Sequence, residues 1–240
     1  FTLFESGDEN TTLYVLDVDS GEWLAEEIPG KVEGVSWLPD GSGFVYHRLR
    51  EVDDPYSGQV RLHRLGRHYR QDPVLMEQEG EGPLATTWGP FATLSHDGRW
   101  LLMGYWTGTD SNDLWVADFD RWRRTGELVK EEILVGAEAR SRGEIVGDTL
   151  FLLTDLEAPN GRAFSIDLND PGRQRWEEII PERSDAVLEN LSVARGILVA
   201  EFLENAASRL YRYHFDGRPM GPLPLPGIGS ASLTTNVDRT

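Results

Sequence analysis

The chain has 240 residues, 39% of them hydrophobic and 27% charged, the proportions of a globular protein with ample apolar surface to bury. Its 23 Lys and Arg stand against 41 Asp and Glu, a formal charge of −18, and a field of that sign repels phosphate backbones and anionic lipid, which argues against nucleic-acid and membrane-surface binding. There is no cysteine, so disulfides, thiolate metal sites and a cysteine nucleophile are excluded; this agrees with a reducing cytoplasm and leaves a periplasmic or secreted setting open.

The first residues, FTLFESGDEN, lack the basic start and apolar stretch of a signal peptide and read as the middle of a strand, over 2–6. Two more strands follow, LYVLDVD (13–19) and EWLAEEIP (22–29). VSWLPDGSGFVYHR (35–48) is then a strand, a turn at Pro39-Asp40-Gly41 and a second strand. VRLHRLG (60–66) and the more polar DPVLMEQE (72–79) complete a set of four. The order repeats: FATLSHDGRWLLMGYW (91–106) with LWVADFD (114–120) and ELVKEEILV (127–135); RGEIVGDTLFLLTD (142–155) with AFSIDLN (163–169) and RWEEIIPE (175–182); ENLSVARGILVAEFL (189–203) with LYRYHFD (210–216) and GPLPLPG (221–227). SASLTT (230–235) reads as one more strand.

Four strands in each period of about 50 residues, without a convincing helical period, predict an all-β chain: a β-propeller of four-stranded antiparallel blades, with about five blades' worth of strands. Each blade needs a neighbour to cover its apolar faces. The expected boundaries are a part-blade over 1–30, blades over about 31–82, 83–136, 137–182 and 183–227, and a final strand within 228–240, all in one domain or fragment. Trp37, Trp100, Trp106, Trp115 and Phe151 are expected to pack between blades. Pro and Glu in the fourth strands suit exposed edges.

Several segments invite chemistry and are better explained by structure. His47, His63 and His214 alternate with apolar residues along strands, as packing groups do. The Asp97-Gly98 pair beside His96 reads as a turn, and no histidine pair has metal-ligand spacing. DVDSGE (17–22) places Gly21 fifth where a calcium loop of the EF-hand kind needs it sixth, so a turn is the better reading. No phosphate-cradling glycine motif occurs, and no cofactor is expected. The sequons at Asn10 and Asn190 carry little weight on their own. A glycosidase reading needs two carboxylates about 5–10 Å apart, which sequence does not place.

VSWLPDGSGFVYHR with GQVRLHRLG, LSHDGRWLLMGYWTGTDSNDLWVADF, APNGR…IDL with WEEIIPE, and then ASRL and LPGIGS in order, resemble the N-terminal propeller of the prolyl oligopeptidase family of serine peptidases. The resemblance covers essentially the whole chain. It implies a seven-bladed ring set over an α/β-hydrolase domain that cleaves after proline in short peptides, with the propeller filtering substrates by size. Only about five blades are accounted for here. The nucleophile elbow G-x-S-x-G is absent, so no catalytic residue is named and the chain alone is not expected to hydrolyse peptides. The implied partners are the peptidase domain of the same parent chain and proline-containing oligopeptides. In the family the loop before APN reaches towards the inter-domain cavity, often with a basic residue that contacts peptide. Here Leu156-Glu157 occupy that place, and Leu156, Glu157, Asn160 and Arg162 are the candidate substrate-gating residues, with Arg162 more readily structural. A free-standing scaffold propeller that binds a protein or peptide partner is the alternative.

Overall fold

The computed structural model describes residues 1–4, 7 and 9–237. Its strands form five antiparallel sheets. The first comprises β1 (Thr2–Phe4), β2 (Thr11–Leu16) and β3 (Trp23–Pro29). The second has β4 (Glu33–Trp37), β5 (Gly43–Leu49), β6 (Gly58–Arg64) and β7 (Val74–Glu77). The third has β8 (Gly89–Leu94), β9 (Trp100–Trp106), β10 (Asn112–Asp118) and β11 (Glu131–Leu134), and a short helix α1 (Phe119–Thr125) follows β10. The fourth has β12 (Ser141–Val146), β13 (Thr149–Thr154), β14 (Arg162–Asp167) and β15 (Glu177–Ile180). The fifth has β16 (Val187–Ala194), β17 (Ile197–Glu204), β18 (Ala207–Tyr213) and β19 (Pro219–Leu223). Within each sheet the strands lie side by side in chain order, so every sheet is a meander closed by local turns. That all-β blade architecture is the one the repeat predicts.

The turns show why the chain reverses where it does. Asp40 Oδ1 accepts from the Ser42 N–H at 2.9 Å and from its hydroxyl at 2.6 Å, while Gly41 sits at φ +67°, a left-handed conformation that a side chain would oppose. DVDSGE is likewise a turn: Asp17 Oδ1 accepts from the Ser20 N–H and hydroxyl at 2.8 and 2.9 Å. At 95–99, Asp97 Oδ1 takes the Ser95 hydroxyl and the Arg99 N–H.

The chain divides into two compact units, residues 1–109 with 113–130, and residues 110–112 with 131–240. In the first unit, Val45 and Val60 of the second sheet pack with Leu94, Leu101, Met103 and Phe119 in one buried cluster. The Ser36 hydroxyl accepts the Leu94 N–H at 3.0 Å and so stitches β4 to β8. In the second unit, Phe151, Leu153 and Ala163 of the fourth sheet pack with Leu188, Leu198 and Phe202 of the fifth. Burying one such aromatic or aliphatic side chain stabilises the fold by about 1.5–3 kcal/mol, enough to hold two sheets that would be marginal alone.

Three details differ from the sequence-based expectation. The strand beginning at Leu114 stops at Asp118 rather than running to 120. The Asp118 carboxylate caps the Arg121 N–H at 2.7 Å, α1 follows, and Gly126 ends it at φ +75°. Trp37 is 46% exposed; it packs edge-to-face on Phe44 but otherwise lines, with Val35, Phe1 and Tyr14, an apolar cavity of about 810 Å³. Trp100 and Phe151, by contrast, are buried. Finally, residues 230–235 form no strand: the segment is held by Ser208, whose Oγ accepts the Ala231 N–H at 3.0 Å and whose own N–H donates to the Gly229 carbonyl at 2.9 Å. The preceding Pro224 and Pro226 lack the N–H a ladder requires, and the glycines at 227 and 229 offer no side chain to pack and disfavour extended order. Residues 5 and 6 of the expected first strand, and residues 238–240, lie outside the described residues.

Candidate functional site

The loop between β13 and β14 begins from a fixed base. The buried Ser141 hydroxyl and the Thr154 hydroxyl are 2.7 Å apart at the paired ends of β12 and β13, and Thr154 Oγ1 accepts the Leu156 N–H at 3.1 Å. Next to them Arg140 and Asp155 bond reciprocally, the Arg140 N–H to Asp155 Oδ1 at 2.7 Å and the Asp155 N–H to the Arg140 carbonyl at 3.3 Å. Two consecutive turns follow, closed by Ala158 N–H to Asp155 O (2.9 Å) and Gly161 N–H to Ala158 O (2.7 Å). Glu157, at the exposed tip, has φ +52°, a left-handed conformation that costs a non-glycine residue about 1–2 kcal/mol and persists because the loop is tied on both sides.

The four residues singled out in the sequence have distinct places. Leu156 is half-buried. Glu157 and Arg162 meet: Arg162 Nη2 is 3.4 Å from Glu157, its Nη1 3.5 Å from Glu178, and its guanidinium lies 5.0 Å from the Phe164 ring centre. Asn160 is tied elsewhere. Its N–H donates to Glu182 Oε1 (2.8 Å), its side-chain amide to the Arg183 carbonyl (2.9 Å), and its carbonyl accepts the Leu188 N–H (2.7 Å). Asn160 therefore positions the loop against the start of β16. Arg183 is itself clamped, with a two-pronged pair to Asp185 at 3.0 and 2.9 Å and a 2.7 Å contact to Glu204.

Beneath this loop lies a cavity of about 350 Å³, lined by the loop residues Asp155, Pro159 and Gly161, by the β12 side with Arg140 and Arg142, and by Val187, Leu188 and Glu189 of β16. It is within the size range of small-ligand sites. Sequence reasoning missed its charged lining. The signal was Arg140-Ser141-Arg142: successive strand side chains alternate faces, and because Ser141 turns inward to Thr154 its two neighbours turn the other way. Burial and the neighbouring Arg140 charge hold the Arg142 guanidinium below the usual arginine range, while Glu189 and Glu201 pull in the opposite direction.

No group of three or more His, Asp or Glu side chains suited to a metal ion occurs among the described residues. No helix among them is long and apolar enough to cross a membrane. The 240 residues contain no G-x-S-x-G from which an acyl-transfer serine would be presented.

Known proteins supply the context. A family model described as "Prolyl oligopeptidase, N-terminal beta-propeller domain" matches residues 1–240. A prolyl endopeptidase of Elizabethkingia meningoseptica is 26% identical over 244 residues, covering 97% of this chain and 32% of that protein. The dual function macrocyclase-peptidase POPB of Amanita bisporigera is 28% identical, covering 95% of this chain and 33% of its own length. Among solved structures, one from a study of two prolyl endopeptidases superposes with a TM-score of 0.84 at 33% identity, over 94% of this chain and 33% of the other. The chain thus spans about a third of the length of the proteins it matches. On the full-length match of the family model, with the blade architecture seen here, the chain belongs to the N-terminal β-propeller domain family of the prolyl oligopeptidases.

Proposed function

We propose that this chain is the substrate-gating part of a prolyl oligopeptidase-like serine peptidase, whose α/β-hydrolase domain lies outside residues 1–240. It forms a single propeller domain or fragment that restricts access to proline-containing oligopeptides. The observation that carries this reading is the family match over the whole chain combined with the missing nucleophile elbow. The 155–161 loop supports the placement of the gate: Leu156 and Glu157 stand at its tip, Glu157 is paired with Arg162, and Asn160 anchors its base.

The test uses a separately produced hydrolase domain of a relative. Added to it, this chain is expected to suppress cleavage of a long unfolded protein while sparing a short proline-containing reporter peptide. The chain alone is expected to cleave neither. Equal suppression of both substrates, or hydrolysis by the chain itself, refutes the gating role.

A further inference from the structure

An exposed cation at the wall of a cavity, with no counter-ion in contact, is open to an incoming anion. Arg142 is in that position. It lies at the edge strand β12, opposite Leu153 of β13, and lines the cavity beneath the 155–161 loop. Among the described residues it makes no ion pair within 4 Å; Glu189 and Glu201 act on it only through space. Its neighbour Glu144, two residues along the same face, is committed elsewhere, accepting the Val193 N–H at 3.1 Å. Although the Arg142 side chain is exposed, desolvation and then the neighbouring Arg140 charge lower its basicity, and an incoming anion offsets that cost.

The chemistry of the walls selects the anion. Leu153, Pro159, Val187 and Leu188 offer apolar surface for methylene groups, and the cavity of about 350 Å³ admits a side chain rather than a folded element. Asp155 and Glu189 also line it and repel any anion in proportion to its charge, so a singly charged carboxylate on a short alkyl stem is opposed less than a doubly charged phosphate while still pairing with the Arg142 guanidinium.

We propose that this cavity is a recognition pocket for an acidic side chain, Glu or Asp, of a bound peptide, with Arg142 as the receiving group. The proposal rests on the peptide-facing reading above and adds a specificity to it. The long-range field of the chain, −18 overall, works against anionic ligands. At 0.15 M salt the screening length is about 8 Å, so distant charges fade while a contact pair inside the cavity persists.

Two peptides decide it, Gly-Glu-Gly-Pro-Gly and its Gln analogue, titrated into this chain at pH 7 and 0.15 M salt by calorimetry. The Glu peptide is expected to bind about fivefold to tenfold more tightly than the Gln peptide. In Arg142→Gln that ratio is expected to fall to about one, and in Arg142→Lys, which keeps the charge and loses the planar fork, to an intermediate value. The exposed edge position keeps these variants folded, which circular dichroism verifies. A ratio near one in the unaltered chain overturns the acidic pocket alone, as does a ratio that survives Arg142→Gln. Failure of both peptides to bind overturns the peptide-facing reading and this proposal together.

Discussion

The Tyr46 hydroxyl donates to Asp72 Oδ2 at 2.8 Å inside the second sheet, and the same carboxylate stands 2.9 Å from His63 Nδ1. All three side chains are nearly sealed from solvent, and Glu26, 3.9 Å from His63 Nε2, accepts the Gly66 N–H at 2.7 Å on the other side. One acceptor thus satisfies donors from β5 and β6. Burial first, and then the Asp72 carboxylate, push the Tyr46 hydroxyl far above the ordinary tyrosine range, which keeps it protonated and a donor.

Asp72→Ala is expected to cost about 3–5 kcal/mol, because it strands two buried donors at once. Tyr46→Phe removes one donor and leaves the His63 contact, so about 1–2 kcal/mol is expected. Urea unfolding followed by tryptophan fluorescence separates the two. A smaller loss for Asp72→Ala than for Tyr46→Phe contradicts the shared-acceptor arrangement.

His47 carries a pH dependence. Burial first, then the charge of Lys31, lower its pKa from 6.5 to about 4, and its Nε2 is enclosed without a hydrogen-bond partner. The unfolded chain therefore binds a proton between those values that the folded chain refuses. The stability is fully present above pH 6.5 and falls as the pH drops towards 4, by roughly 2–3 kcal/mol from this group. His47→Gln is expected to flatten that slope in urea melts at stepped pH; an unchanged slope counts against the assignment.

Gly217 turns β18 into β19 at φ +81°, and a Cβ built there comes 2.2 Å from the Ile179 carbonyl oxygen. Both the backbone conformation and the contact oppose a side chain. Gly217→Ala is expected to lose about 2–4 kcal/mol of stability, read from its urea midpoint; a loss below 1 kcal/mol shows that the turn can shift away.

Arg183 clamps Asp185 and Glu204 while stacking 5.0 Å from the Phe202 ring centre, and its carbonyl holds Asn160. Arg183→Ala is expected to cost about 1–2 kcal/mol, its partial exposure limiting the loss. It is also expected to quicken hydrogen exchange at the Leu188 N–H, which bonds Asn160. Unchanged exchange there separates the loop from the clamp.

What reached the page from sequence alone was periodic: strands alternating apolar and polar residues, glycine in the recurring hairpin turn at 41, 98, 147 and 196, and a repeat near 50 residues, because pleat and turn are local rules that each segment carries in itself. Local signals also existed where they were missed, as in Asp118 and Gly126 bracketing α1. Which side chains finally meet is another matter. Asp72 with Tyr46, Arg142 with the wall of β16, and Asn160 with Arg183 are joined by packing across strands distant in the chain, and Trp37 is left open for the same reason. Alternation tells a residue which face it takes; only the assembled sheets decide what waits on that face.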